Sequence, residues 1–248
     1  MEGNCDGDAT GDDRISNLPE PILHHILSFQ DQTLANRKKH KISIQKFSLW
    51  SGCFARLTYA DRWIKILIAC NIKELNLRVD RHNFQGGFEY GSLPEAIFAA
   101  RSLNVLSLYR FKIELSTDDG TIKLSSLREL HLSYVFLDEQ FIESLCTSCC
   151  NLEHLSFQDF KGFTSFHVGE TLPKLKKVNL QFPRSILQLV DIAAINLEEL
   201  RIDGLNRIAK FVRITACKAL KSLYLGGVDV TDNWLLELFY ELQNLEKF

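Results

Sequence analysis

Three cysteines lie close enough together in the sequence to suggest metal chemistry. Cys146, Cys149 and Cys150 form a C-x-x-C pair with one extra thiol. A structural zinc site needs four ligands, and no second cysteine pair or histidine pair stands at ligand spacing. Cysteines instead recur just before the apolar repeats described below, as Cys70, Cys150 and Cys217, which favours small buried residues. We therefore predict no metal site.

No other group of residues in the sequence matches a catalytic or cofactor-binding pattern. His24 and His25 are adjacent, so on a helix they face different directions and do not form a ligand pair or a catalytic pair. The segment Gln85-Gly86-Gly87 lacks the lysine and the hydroxyl residue of a phosphate-binding loop. We find no nucleophile elbow, no paired carboxylates in a recognisable setting and no dinucleotide fingerprint. The sequence predicts a protein that is not an enzyme and needs no cofactor.

The dominant feature of the chain is a recurring apolar phrase: apolar, two residues, apolar, one residue, apolar. Its seven copies begin at Ile72, Leu103, Leu127, Leu152, Leu175, Leu197 and Leu220, and an eighth copy begins at Leu245. The spacings of 31, 24, 25, 23, 22, 23 and 25 residues lie in or next to the range of leucine-rich repeats. Each copy alternates with the period of a short strand, whereas returning stretches such as 138–146 and 233–242 have helical spacing.

We therefore predict an α/β leucine-rich-repeat solenoid. Its curved parallel sheet would form the concave face, helices would cover the convex face, and a short helix would precede the repeats. Bulky residues eight positions after the repeat starts should close the turns; these are Phe111, Val135, Phe160, Leu205 and Val228. The fifth repeat has Pro183 there and is the least regular.

The outward positions of the concave face are the candidate binding residues, because solenoids bind partners along that face. They lie four and six residues after each repeat start. The predicted substrate-binding face consists of Asn76, Arg78, Ser107, Tyr109, His131, Ser133, Ser156, Gln158, Asn179, Gln181, Arg201, Asp203 and Tyr224. This set is polar, largely uncharged and has tyrosines near each end, which suits a protein partner better than a phosphate or a lipid headgroup. For any single residue, a simply solvated sheet face is the alternative.

The composition argues against two classes of partner. The formal charge of −2 gives no net basic field of the kind that dominates nucleic-acid binding. No apolar run approaches the roughly 18 residues of a membrane span. The first residues show no secretory pattern, and the seven cysteines follow no paired framework. We expect no nucleic acid, no membrane, and a cytoplasmic and/or nuclear location.

The chain divides into four predicted segments. Residues 1–12 are an acidic tail that we expect to be disordered. Residues 13–29 contain a short one-sided helix, because Ile22, Leu23, Ile26 and Leu27 share one helical stripe and Pro19 sits in the first turn. Residues 30–46 form a basic linker, in which a solvated stretch is favoured over a nuclear import signal or a contact to an acidic partner. The repeat domain occupies 47–248, and we expect it to be C-terminally truncated because the eighth copy of the phrase is incomplete.

The segment Asp13-Arg-Ile-Ser-Asn-Leu18-Pro19-Glu-Pro-Ile22-Leu23-His-His-Ile26-Leu27-Ser-Phe29, followed by repeats such as Ile72-Lys-Glu-Leu75-Asn-Leu77, resembles the plant F-box proteins with leucine-rich repeats, a group that often ends in an FBD domain. In that family the F-box docks on the Skp-type adaptor of a cullin ubiquitin ligase. The resemblance implies that the adaptor-binding residues are Leu18, Pro19, Ile22, Leu23, Ile26 and Leu27. The second half of the F-box and the FBD region have no counterpart here, so we expect both to be missing.

The sequence thus predicts a non-catalytic substrate-recognition subunit of a cullin-based, SCF-type ubiquitin ligase. Its partners would be the Skp-type adaptor and an unknown protein substrate. The alternative is a free-standing leucine-rich-repeat interaction module that does not dock on the ligase, because its F-box is incomplete.

Overall fold

A computed structural model of the chain describes residues 45–51, 60–79, 90–115, 122–182, 187–204, 211–228 and 231–248. Within them, eight parallel strands form one main sheet in which spatial order follows chain order. Numbered along the whole chain, these strands are β1 Lys46–Ser51, β2 Glu74–Val79, β4 Val105–Tyr109, β6 Glu129–Ser133, β8 His154–Gln158, β10 Lys177–Gln181, β12 Glu199–Asp203 and β14 Ser222–Gly226. Each of the seven predicted repeats contributes one strand, so the leucine-rich-repeat fold is confirmed.

The segments that return from one strand of the main sheet to the next are of two kinds. Helices α1 Ala60–Ala69, α2 Glu139–Ser148 and α3 Asp232–Glu241 return three of the coils, and a short 3-10 helix, Glu95–Ala99, returns another. The helices predicted at 138–146 and 233–242 are therefore confirmed. Short strands also lie in the returns, two of them in the same return as a helix. The strands β3 Gly91–Ser92, β5 Phe111–Ile113 and β7 Phe136–Leu137 pair in one small sheet, and β9 Ser165–Val168, β11 Leu189–Ile192 and β13 Phe211–Ile214 pair in another.

The second small sheet differs from the predicted all-helical outer face for a local reason. The segments of β9, β11 and β13 read SFHV, LVDI and FVRI, which alternate apolar and polar residues and are rich in β-branched and aromatic side chains. That pattern has the period of a strand, and four residues are too few for a helix of ordinary length.

Backbone hydrogen bonds hold the coils of the main sheet in register. The carbonyl oxygen of Lys73, one residue after a repeat start, accepts from the amides of Asn104 at 2.7 Å and Val105 at 3.0 Å in the next coil. The same pattern recurs from coil to coil as far as Lys221, whose carbonyl accepts from Glu246 and Lys247. The repeat leucine itself donates to the carbonyl three residues earlier, as Leu152 does to Cys149 at 2.9 Å.

A polar residue directly before several of the repeat leucines adds a side-chain bond to the preceding coil. Its hydroxyl or amide donates to a backbone carbonyl at 2.7–3.0 Å. The pairs are Ser102 to Ile72, Asn151 to Ser125, Asn196 to Pro173 and Asn244 to Lys218. These four coils are therefore tied to the preceding coil at the turn as well as along the strand.

The core lies between the main sheet and the return segments. In each predicted repeat the first apolar residue of the phrase is fully buried, and so is nearly every other apolar position in it. A block of phenylalanines fills the middle coils, where Phe160 stacks on Phe163 at 4.8 Å and contacts Phe157 and Phe182 at 5.7 and 5.8 Å between ring centroids. Offset and edge-on ring pairs of this kind add to the free energy gained from burial. Of the predicted turn-closing residues, Phe111, Val135 and Phe160 are buried and Val228 is half-buried, whereas Leu205 lies outside the described residues, as does Pro183.

The structure adds one strand that the sequence analysis missed. The first predicted repeat begins at Ile72, but β1 precedes it and pairs with β2 over six residues. The sequence Ile44-Gln-Lys-Phe47-Ser-Leu49 carries the same apolar phrase as the later repeats, and it was hidden because we took residues 30–46 for a linker. The predicted segments 1–12 and 13–29, and residues 30–44 of the linker, lie outside the described residues.

Gly162 provides a test of the coil packing. Its φ of 106° is rarely adopted by other residues, and an added Cβ would collide with the carbonyl oxygen of Leu137 in the preceding coil. We expect Gly162→Ala to lower the free energy of unfolding by about 1–3 kcal/mol, from backbone strain and displacement of that coil. Urea unfolding followed by circular dichroism measures the change.

Gly169→Ala is the matched control. A Cβ at Gly169 would lie 3.6 Å from the Nε2 of His167, an ordinary contact, and no positive φ opposes the substitution. Equal unfolding midpoints for the two variants would contradict the packing described for Gly162.

Candidate binding face of the main sheet

The exposed face of the main sheet consists of three columns of side chains that run across the strands. The predicted face residues occupy two of them: column two runs Ser48, Asn76, Ser107, His131, Ser156, Asn179, Arg201 and Tyr224, and column three runs Trp50, Arg78, Tyr109, Ser133, Gln158, Gln181, Asp203 and Gly226. All of these residues are exposed or half-buried, whereas the residues between them are mostly buried. The predicted face residues therefore share one surface.

The sequence analysis missed column one, which lies two residues after each repeat start on the same face. It runs Lys46, Glu74, Val105, Glu129, His154, Lys177, Glu199 and Ser222. The strand period of two could have identified it, because positions two, four and six after a repeat start must point the same way.

Charges in column one are largely compensated by their neighbours. Lys46 pairs with Glu74 at 3.1 Å, and Lys177 pairs with Glu199 at 2.8 Å. The carboxylate of Glu129 lies 3.3 Å from His131 and 3.7 Å from His154. Exposed ion pairs of this kind contribute little to stability, but they leave this side of the face nearly neutral.

One position earlier, positive and negative residues alternate from coil to coil. Glu153 lies between Arg128 at 3.9 Å and Lys176 at 3.3 Å, and Lys221 pairs with Glu198 at 3.2 Å. The alternation therefore places opposite charges side by side on consecutive coils.

Aromatic rings and arginines meet at the carboxyl ends of the first strands. The guanidinium of Arg78 lies 5.1 Å from the ring centroid of Trp50 and 4.3 Å from that of Tyr109. Arg110 lies 5.5 Å from Tyr109 and 5.9 Å from Tyr134, and the two tyrosine rings are 5.1 Å apart. We call Trp50, Arg78, Tyr109, Arg110 and Tyr134 the strand-end cluster. Cation–π contacts are worth about 0.5–1 kcal/mol each at exposed sites, so the rings and cations hold one another in place.

Three neighbouring residues just past the strand ends have left-handed backbones. Arg110, Tyr134 and Asp159 have φ of 64°, 53° and 51°, and the equivalent Gly227 has φ of 65°. Each amide of these three donates to the strand-end carbonyl of the following coil at 2.8–3.0 Å. A left-handed backbone costs a residue with a Cβ roughly 1–2 kcal/mol, whereas glycine adopts it freely.

Sequence reasoning found only part of the strand-end cluster. Arg78 and Tyr109 were predicted, whereas Trp50, Arg110 and Tyr134 were missed. Trp50 would have followed from recognising β1. Arg110 and Tyr134 lie seven residues after their repeat starts, where the backbone becomes left-handed. The alternation of a strand does not predict the direction of a side chain beyond that point. A smaller pair stands at the other end of the face, where Arg201 lies 4.0 Å from the ring of Tyr224 and bonds Asp203 at 2.8 Å.

The three clustered cysteines Cys146, Cys149 and Cys150 differ in their burial. Cys146 and Cys149 are buried, and burial raises the pKa of their thiols to about 11 and about 12. The prediction of a small buried residue is wrong for Cys150, which is exposed. The buried cysteines Cys149 and Cys217 instead lie three residues before their repeat starts. At that position the backbone carbonyl accepts a hydrogen bond from the amide of the repeat leucine.

The described residues contain no group of three or more His, Cys, Asp or Glu side chains that could hold a metal ion. None of their helices is both long enough and apolar enough to cross a membrane. The predicted adaptor-binding residues Leu18 to Leu27 lie outside the described part of the chain.

Comparison with known proteins matches the repeat region. A family model described as "At1g61320/AtMIF1, LRR domain" matches residues 34–248. The chain is 25% identical over 160 residues to a putative F-box/LRR-repeat protein of Arabidopsis thaliana, which covers 62% of this chain and 29% of that protein. It is 28% identical over 153 residues to an F-box/FBD/LRR-repeat protein of the same plant, and this match covers 61% of this chain and 35% of that protein.

A third relative, a putative F-box/FBD/LRR-repeat protein of Arabidopsis thaliana, is 38% identical over 93 residues, which covers 37% of this chain and 20% of that protein. The matches thus span between 20% and 35% of the length of these relatives. The resemblance that the sequence indicated is confirmed.

The cysteines give one test of this description. At pH 8 we expect an alkylating reagent to label Cys150 in the folded chain and to leave Cys146 and Cys149 unlabelled, because burial raises the pKa of both thiols and keeps them protonated. Peptide mass spectrometry after timed labelling measures this, and labelling in denaturant is the control. Equal labelling of Cys149 and Cys150 in the folded chain would contradict it.

Tyr134 gives a second test. Burial, followed by the charge and hydrogen bond of Asp159, raises its pKa above the ordinary value of 10.0. The fold therefore favours the neutral phenol, and the stability that this provides is present below pH 10 and lost as the pH rises through the folded pKa. We expect Asp159→Asn to lower the pKa of Tyr134. Absorbance at 295 nm against pH measures it, with Tyr134→Phe in each background isolating this residue; an unchanged titration would refute the contact.

Proposed function

The chain belongs to the leucine-rich-repeat family described as the At1g61320/AtMIF1 LRR domain, and on that premise we propose that it recognises protein substrates for a cullin-based, SCF-type ubiquitin ligase. The exposed face of the main sheet binds the substrate, and the segment 13–29 docks on a Skp-type adaptor. The role is non-catalytic, and the location is the cytoplasm, the nucleus or both.

One observation carries the substrate-binding half of this proposal. Eight strands present three columns of side chains in register, with many of their charges paired on the same face. Such a face presents a preformed surface, and a preformed surface loses little conformational entropy when a partner binds. Its tyrosines, tryptophan and arginines are the residue types that carry most of the binding energy in protein interfaces.

The adaptor-binding half of the proposal rests on the sequence of the segment 13–29 and on the names of the relatives. Curated relatives of the chain are named F-box/LRR-repeat or F-box/FBD/LRR-repeat proteins. Burying each large apolar side chain of the predicted stripe stabilises a complex by roughly 1.5–3 kcal/mol, or about 10 kcal/mol in sum. Association costs on the order of 4–15 kcal/mol, so docking through this helix is expected to be weak and concentration-dependent.

Co-elution with a purified Skp-type adaptor tests the adaptor-binding half. We expect the parent chain to co-elute at tens of micromolar, and Leu23→Asp to weaken binding at least tenfold because it places a charge on the apolar stripe. Leu236→Asp is the matched control, since Leu236 is 70% exposed on α3 and its replacement by Asp makes the same chemical change elsewhere. Size-exclusion chromatography with quantified fractions measures both.

Absence of co-elution for the parent chain would refute docking and would leave the alternative, a free-standing interaction module. Equal co-elution of Leu23→Asp and the parent chain would show that the adaptor contacts some other surface.

A further inference from the structure

The strand-end cluster has the most distinctive chemistry on the exposed face, and we propose that it binds an acidic, extended segment of a partner protein. This inference rests on the proposed function, because it names the class of protein segment that the same face recognises.

The positive charge of the cluster is held between rings. Arg78 lies within 5.1 Å of the centroids of both Trp50 and Tyr109, and Arg110 lies within 5.9 Å of both Tyr109 and Tyr134. The N–H donors of a guanidinium lie in its own plane, so a cation–π contact through its face does not use them. A carboxylate matches that fork with two parallel hydrogen bonds.

The arginine at the other end of the face shows the contrast. Arg201 also lies against a tyrosine, but its guanidinium bonds Asp203 at 2.8 Å. In the described part of the chain, by comparison, the Nε of Arg110 is buried and has no hydrogen-bond acceptor. A buried donor without an acceptor costs about 1–3 kcal/mol. A carboxylate from a partner would compensate the positive charge of this guanidinium.

The backbone supports a role for these side chains. Arg110 and Tyr134 occupy a left-handed position that Gly227 fills in a later coil without strain. Large side chains are therefore kept at a position where glycine would be more stable. Strained backbones of this kind cluster at binding and catalytic sites, where the placement of the side chain offsets the strain.

The spacing fits an extended segment. Arg78 is the next-to-last residue of β2 and Arg110 directly follows the last residue of β4, and neighbouring strands are about 4.8 Å apart. In an extended chain, alternate side chains lie on one side and are separated by roughly 6.6 Å. Two acidic residues separated by one other residue can therefore reach both guanidinium groups.

Carboxylates on the same face argue against a nucleic acid. Glu74, Glu129 and Glu199 lie in column one, and Asp203 lies in column three. A continuous phosphate backbone laid across the strands would meet these negative charges. A peptide can place single carboxylates at the two arginines and neutral residues elsewhere.

Fluorescence anisotropy with designed peptides tests the proposal on the full chain. The probe is a labelled twelve-residue peptide of serines that carries two central Glu residues separated by one Ser, and its counterpart replaces each Glu by Gln. We expect the Glu peptide to bind at least tenfold more tightly than the Gln peptide. We expect Arg110→Gln to weaken binding of the Glu peptide roughly five- to tenfold.

Arg201→Gln is the matched control, because it removes the same group from beside a tyrosine on the same face, where Asp203 already compensates the charge. It should change the affinity less than twofold. Equal losses in Arg110→Gln and Arg201→Gln would show that only the overall charge matters and would overturn the proposal, as would equal affinity for the two peptides.

A charge-reversal variant distinguishes loss of binding from loss of folding. We expect Arg110→Glu to prefer a peptide in which Lys replaces each Glu, a gain that an unfolded variant could not show. Unchanged preference for the Glu peptide in this variant, or tighter binding of a uridine oligonucleotide than of the Glu peptide by the parent chain, would overturn the proposal. A chain that co-elutes with the adaptor but does not distinguish Glu from Gln peptides refutes this inference alone.

Discussion

The structure depends on one backbone constraint: a carbonyl just after each repeat start accepts two amides of the next coil. Lys73, Asn104 and Arg128 are successive members of this series. Because the accepting group belongs to the backbone, the same bonds can form in every coil whatever its polar side chains are, while the buried apolar positions select the register. The polar residues before several repeat leucines add bonds between coils at the turns. The buried side and the exposed side of the main sheet both follow from that register.

The exposed face divides into parts with different roles. Column one is occupied mostly by ion pairs between neighbouring coils, and these charges compensate one another. The strand-end cluster instead places two guanidinium groups near three rings. Two of its residues have left-handed backbones, a conformation that is less stable for residues with a Cβ. The first arrangement serves the assembly of the coils. The second contains the Nε of Arg110, which is buried and has no hydrogen-bond acceptor among the described residues, and the proposed specificity is assigned there for that reason.

Much of the fold could be predicted from the sequence, because each coil needs the same three apolar positions to close its core. Those positions gave seven strands and, by alternation, the residues of columns two and three. Three features escaped for physical reasons. The strand β1 has only half-buried apolar residues, Phe47 and Leu49, and follows a basic segment. Arg110 and Tyr134 are placed by a change in backbone handedness, and Cys150 is exposed because the buried turn position is one residue earlier.

The outer strands β9, β11 and β13 set the spacing of the coils that carry them. Paired strands lie about 4.8 Å apart, whereas packed helices stand about 8–10 Å apart. From β8 to β13 the coils are paired strands on both the main sheet and the outer sheet, so both sides of these coils repeat at the same interval. A visiting molecule that spans these coils therefore meets side chains at one regular interval, and its own contact points must match that interval.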